Sequence, residues 1–283
     1  MIKTLLELSK VKITIAVALT TITGYLLASG RFDQYMILPT LGIFILACGS
    51  SAINHYQERD RDALMERTRN RPIPSGRISA KAALLFAMVL TITGSYLLYY
   101  SSGMLAMQLG LLALLWYNAI YTPLKKKTAF AVIPGAVIGA IPPLVGWVAG
   151  GGSLLDARAW IMAFFFFIWQ VPHFWLLMLK YGKEYEKAGY PSITKLYTES
   201  QVKNVTFIWV FATAISALMV PLFYNTNSWF ILAGFLISSI WLMVVFSKLI
   251  LKRKEAFNPM FYFMRINYFV LAIIVMLSLQ PFV

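Results

Sequence analysis

The chain has 283 residues, 59% of them hydrophobic, a mean hydropathy of +0.70 and a formal net charge of +14. Soluble globular chains are about 45–50% apolar, so a water-facing fold cannot hide this much apolar surface. Most of the chain belongs in lipid or inside a lipid-embedded bundle. A lone cysteine (Cys48) and two histidines (His55 and His173) exclude a disulfide framework, a thiolate metal site and a His-rich cage.

The hydropathy predicts nine hydrophobic segments in one membrane domain over 1–283: roughly 12–29, 36–57, 80–100, 103–121, 128–150, 158–180, 203–224, 228–250 and 262–282. Each is close to the ~20 residues a helix needs to cross the hydrocarbon core. Helices are expected because lipid satisfies no backbone polar group. The strand-like alternation of an outer-membrane barrel is missing. The first run, with Lys3, Lys10 and Lys12 before it, is longer than a signal-peptide core and reads as a retained helix.

Of the 25 Lys and Arg, all but Arg31 and Arg158 fall at the N-terminus or in the connections after the second, fourth, sixth and eighth segments, with the adjoining helix ends. The positive-inside rule then predicts a cytoplasmic N-terminus and an external C-terminus. It accounts for the net charge without a nucleic-acid partner. A bacterial plasma (inner) membrane is the expected location, since no transit peptide precedes the first helix.

The acids carry more information, because topology does not require them. Glu58, Asp60, Asp62 and Glu66 lie in the second-to-third connection, and Glu184, Glu186 and Glu199 in the sixth-to-seventh. Both are expected on the cytoplasmic face, as two halves of one site. If the second helix runs to its polar end, Asn54, Glu58 and Asp62 fall at i, i+4 and i+8 on one face. Such hard oxygen donors suit Mg²⁺, which takes a few carboxylates together with phosphate oxygens and water. Around them stand Arg59, Arg61, Arg67, Arg69, Arg71 and Arg77, with Lys125, Lys126 and Lys127 in the next cytoplasmic connection; guanidinium forks match phosphate. The alternative is a solvated helix end with local ion pairs.

A diphosphate head at the mouth of an apolar bundle points to a lipid diphosphate with its tail among the helices. Cleavage of its carbon–oxygen bond leaves an allylic cation, which aromatic faces stabilise. Trp116, Tyr117, Tyr121, Phe174 and Trp175 lie near that depth, although packing or an interfacial belt explains any one of them equally well.

The stretches ERTRNRPIPSGRIS (66–79), YTPLKKKT (121–128), GAIPPLVGW (139–147), WQVPHFWLLMLKY (169–181) and EYEKAGYPS (184–192) carry a resemblance. From about residue 4 to 250 the chain resembles the UbiA superfamily of intramembrane prenyltransferases. Its members bear one acidic motif after the second helix and another after the sixth. Arg69-Asn70-Arg71-Pro72 and Pro172-His173-Phe174-Trp175 resemble the branch that acts on heme B. The resemblance implies an all-α, nine-span bundle. It implies transfer of a farnesyl group from farnesyl diphosphate to a heme B vinyl with addition of water, giving heme O and diphosphate. It maps Asn54, Glu58 and Asp62 onto the first motif and Glu184 onto the second, as the catalytic, Mg²⁺-binding set. Arg67, Arg71, Arg77, Tyr121, Lys125 and Lys183 are then expected at the substrate, and a heme A synthase is a candidate partner. Three positions depart from the family pattern: Glu58 replaces the usual Asp, Lys183-Glu184-Tyr185 the frequent Asp-Asp-Tyr, and Ser192 the usual Met. Lys183 in place of an acid leaves a second metal open, with direct contact between Lys183 and the diphosphate as the alternative.

His173 lies toward the cytoplasmic end of the sixth segment, beside Gln170 and Pro172. An intramembrane polar residue suggests function. Iron ligation or a propionate contact competes here with a bond to a neighbouring helix, and His55 admits the same alternatives. Other readings are a related prenyltransferase with a quinone-precursor acceptor, or a transporter. Transporters put charges near the midplane, whereas the acids here sit at helix ends.

Overall fold

The computed structural model describes residues 1–251 and 257–283. The eighth-to-ninth connection, to which the orientation argument assigned Lys252, Arg253 and Lys254, lies largely outside the described residues. The helices are α1 (Ile2–Leu8), α2 (Val11–Ser29), α3 (Ile37–Asp62), α4 (Ala80–Leu115), α5 (Thr122–Leu124), α6 (Val132–Gly135), α7 (Val137–Ala149), α8 (Ala157–Lys187), α9 (Glu199–Phe223), α10 (Trp229–Leu251) and α11 (Pro259–Leu279). No strand occurs among the described residues.

Among the described residues, eight helices are long and apolar enough to cross a membrane, against nine expected. The difference lies in Ala80–Leu124, which counts as one 45-residue helix. A straight helix of that length would be about 68 Å long, twice the hydrocarbon thickness. Gly103 interrupts it with φ 79° and ψ −175°, a conformation open only to glycine. A methyl group on Gly110 would lie 2.6 Å from Leu98 Cδ1, though these residues would be about 18 Å apart along a straight helix. The chain therefore doubles back at Gly103.

Consecutive long helices pack on one another. α11 returns to α2 and α8, so the chain-order ring closes. Thr23 and Ser278 hydroxyls join α2 to α11 at 3.0 Å. The tightest approach is α2 on α7, where a side chain on Gly24 or Gly146 would collide with the Pro143 or Thr21 carbonyl. Thr21 Oγ1 also donates to Pro142 O at 3.1 Å, a second tie between the two helices. Ile92, Tyr96, Leu222, Ile237 and Val244 stay exposed on the outer faces, as lipid-facing side chains should. The arrangement is that of a multi-pass membrane protein.

Two local features set up the site. α3 continues past its apolar run to Asp62, carrying its last polar turns inward rather than into solvent. Trp116–Tyr121 forms a π-helical turn, a widening frequent at functional sites. α8 is longer than the predicted 158–180. It runs to Lys187, so Lys183 and Glu184 lie on helix rather than in a connection.

Candidate active site

Asn54, Glu58 and Asp62 form the expected column on α3, only 1%, 4% and 1% exposed. Unpaired buried carboxylates would be prohibitively costly, and each member of the column faces a cation. Lys10 Nζ donates to Asn54 Oδ1 at 2.7 Å and lies 3.5 Å from Tyr117 OH. Lys125 Nζ is paired with Glu58. Arg71 Nη1 spans both Asp62 oxygens at 2.8 and 2.7 Å. The second half of the site reaches the same place. Tyr190 OH donates to Glu58 Oε1 at 3.0 Å, and the Arg67 backbone N–H donates to Glu184 Oε2 at 3.2 Å. Residues more than a hundred positions apart therefore meet on one face of the bundle.

The cations carry the electrostatic signature of such a site. Burial works against the charge on Lys125, yet the Glu58 carboxylate more than offsets it and the pKa lies well above the usual lysine value. Arg71 is likewise raised, with Asp62 outweighing burial. Lys10 has no full carboxylate partner. Burial, then the Arg71 charge, lowers its pKa to about 7, with Glu58 opposing, Lys125 adding and Asp62 opposing. Burial raises Tyr190, and Glu58 raises it further.

Aromatic rings continue inward from the charged end. Lys125 Nζ lies 5.7 Å from the Tyr121 ring centre and 5.5 Å from that of Tyr190. Tyr121 stacks between Tyr117 at 5.8 Å and Phe174 at 5.7 Å. The π turn supports this row, and Trp116 Nε1 is tied back to Pro134 O at 2.7 Å.

Several expected residues stand elsewhere. Arg77 is exposed, pairs with Glu7 of α1 at 2.8 Å and donates to Asn70 O; it pins α1 rather than joining the column. Lys183 points out as an exposed residue of α8. Glu184 is occupied by the Arg67 N–H. Among the described residues, no three of His, Cys, Asp and Glu converge tightly enough to hold a metal. Glu184 thus does not join Glu58 and Asp62 as a ligand set here, because each carboxylate is held by its own donor. His173 is hydrogen-bonded to Asn267 of α11. His55 is 1% exposed with neither ring nitrogen hydrogen-bonded among the described residues.

The donor chemistry of Asn54, Glu58 and Asp62 still suits a hard cation that brings phosphate and water as its remaining ligands. Mg²⁺ is usually bound by one or two carboxylates plus substrate phosphates, not by an all-protein cage. Sequence reasoning missed Lys10, which reads as a topology signal, and Tyr190, which carries no charge to mark it. Arg61 stacks on Tyr190 at 4.4 Å, a contact that its place in a charged run does not reveal.

Comparison with known proteins bears on the family and the fold. Residues 17–269 match the UbiA prenyltransferase family. A protoheme IX farnesyltransferase from Oleidesulfovibrio alaskensis is 36% identical over 223 residues, 79% of this chain and 79% of that protein. The Geobacter sulfurreducens protein of the same name is 38% identical over 218 residues, 77% of this chain and 80% of its own. In fold, the chain is similar to an Archaeoglobus fulgidus UbiA homologue solved with GPP and Mg²⁺. The TM-score is 0.70 at 14% identity, covering 99% of this chain and all of that one.

Proposed function

The chain belongs to the UbiA prenyltransferase family and is a prenyltransferase; on that premise we propose that it moves a farnesyl group from farnesyl diphosphate to a vinyl group of heme B. The products are heme O and diphosphate. One observation carries the chemistry: a buried acid–amide column, faced member by member by Lys10, Lys125 and Arg71, at the mouth of an apolar ring of helices. The acceptor rests on relatives of the stated name and on the Arg69–Pro72 and Pro172–Trp175 runs.

In the resting site the positive and negative groups neutralise one another. When the diphosphate arrives, the three cations turn to its oxygens, where preorganised positive charge stabilises the leaving group. Asn54, Glu58 and Asp62 are the residues that would hold Mg²⁺. The chemistry a Mg²⁺ ion held there would supply is neutralisation of phosphate charge, which would ease cleavage of the carbon–oxygen bond. As that bond breaks, the Tyr117–Tyr121–Phe174 row offers π faces to the allylic cation. The terminal vinyl carbon of heme B bonds to C1 of the farnesyl group. Water then adds at the inner vinyl carbon and loses a proton, leaving a hydroxyethylfarnesyl substituent. Tyr190, on Glu58, and Glu184, on the Arg67 N–H, close the cytoplasmic side over the head group.

We place the protein in a bacterial plasma membrane with this site cytoplasmic, as the Lys and Arg distribution supports. Heme O stays in the bilayer, so its consumer, a heme A synthase, is expected in the same membrane. The acceptor is tested by competition. Purified protein with farnesyl diphosphate and Mg²⁺ is given heme B and an aromatic quinone precursor together. Farnesylated heme alone in the mass spectrum is expected. A farnesylated quinone precursor instead would move the protein to another branch of the family.

A further inference from the structure

Resting on the heme reading above, we propose that His173 Nε2 is the axial ligand of the substrate heme iron and that Asn267 is the positioning residue that keeps Nε2 free for it. The hydrogen bonds fix the protons. Asn267 Nδ2 donates to Phe263 O, one turn back on α11, at 2.6 Å. A backbone carbonyl only accepts, so the amide NH₂ must face it and Oδ1 must face His173. The Oδ1 to Nδ1 distance is 2.9 Å. Oδ1 also only accepts, so Nδ1 carries the proton. A neutral imidazole has one such proton, and Nε2 is left with a bare lone pair. Metal-binding histidines show this pattern: the far ring nitrogen donates to a fixed acceptor, setting tautomer and ring plane.

The surroundings hold the ring without offering Nε2 a partner. His173 lies between Trp169, centroid distance 4.9 Å, and Phe263, 4.8 Å, with Phe174 edge-on at 5.6 Å. The structure gives Nε2 no hydrogen bond among the described residues. The Trp169 indole N–H is also buried without a partner among them. Buried donors are rarely left so, and this one belongs to the ring packed against His173.

Position decides the role of the lone pair. His173 precedes Glu184 by about 16 Å along α8. That is too far for a base acting on the carbon beside the diphosphate. It suits an atom at the centre of a flat macrocycle whose rim vinyl reaches toward that carbon. Phe174 links the two places by stacking on Tyr121, which lies beneath Lys125.

The test uses the full-length protein in lipid nanodiscs with ferrous heme B and nitric oxide, read by electron paramagnetic resonance, beside heme O production by the wild type. The wild type should show hyperfine splitting from a nitrogen trans to nitric oxide. His173→Gly should lose it, and added imidazole should restore it. Asn267→Leu should weaken heme binding about 10–100-fold, while Asn267→Asp, which keeps the acceptor, should stay close to wild type. A wild type that makes heme O without a trans nitrogen signal, or a His173→Gly protein that keeps the signal, overturns the ligand assignment and leaves the function standing. Equal heme affinity in Asn267→Leu and wild type overturns the positioning role. A wild type that neither binds heme nor makes heme O removes the function and this inference together.

Discussion

Replacing Lys125 with Met separates the two jobs this lysine is assigned. In the resting protein it neutralises Glu58, whose side chain is 5% exposed, while its own is 17% exposed. Removing one partner of a buried ion pair costs about 3–5 kcal/mol, because the other charge is stranded. Tyr190 OH still donates to Glu58, and the lysine is not fully sealed, so the lower end, about 3 kcal/mol, is expected. At roughly 2–4 °C per kcal/mol for chains of about this size, thermal unfolding in detergent should fall by about 6–12 °C. The double variant Lys125→Met/Glu58→Gln removes both charges and keeps an acceptor for Tyr190. It should recover most of the stability, since apolar or neutral replacements of buried pairs are often near neutral. Activity should not return: loss of one preorganised donor to the leaving group costs about 10²–10³ in rate, and the double variant also lacks the Glu58 carboxylate assigned to Mg²⁺. Lys125→Met with unchanged melting would refute the buried-pair energetics. A double variant that regains full turnover would reduce Lys125 to a structural partner of Glu58.

Lys10 makes binding pH-dependent. Its pKa of about 7 in the free site must rise when an anionic diphosphate arrives, so binding takes up a proton above neutrality. Affinity for farnesyl diphosphate should fall as pH rises from about 7 toward 9, by at most about tenfold per unit. Calorimetry in buffers of different ionisation enthalpy should detect the proton, and Lys10→Met should abolish both effects. Gly146→Ala drives a methyl group into the Thr21 carbonyl of α2. It should cost about 1–3 kcal/mol or prevent folding, measured as lost monodisperse protein after extraction. Tyr190→Phe leaves the ring under Arg61 but frees Glu58; it should change the Km for farnesyl diphosphate more than the melting temperature.

The helices were legible because lipid demands long apolar runs, although α3 and α8 run past theirs to Asp62 and Lys187. The α3 column was legible because the spacing of Asn54, Glu58 and Asp62 fixes one helical face. Pairing was not. Charge density shows that cations surround the column but not that Arg71 takes Asp62 while Arg77 goes to Glu7. Lys10 was hidden because a lysine ahead of the first span serves topology equally well. It reaches the site because the chain turns at Lys10 itself, through a left-handed φ of 46°. Tyr190 was hidden because its role depends on a contact 132 residues away in sequence. The separate third and fourth runs register as one long helix because only Gly103 breaks them. The Asn267 partner of His173 lies on another helix, 94 residues away in sequence.

The most direct test follows product and leaving group together. Purified protein is incubated with heme B, farnesyl diphosphate and Mg²⁺, with heme O read by mass and diphosphate by enzymatic assay. Asp62→Asn and a chelated sample run alongside. The account predicts heme O and diphosphate in equal amounts from the wild type and neither in the two controls. Undiminished heme O from the Asp62→Asn or chelated sample, or a wild type that binds both substrates and releases neither product, would contradict it.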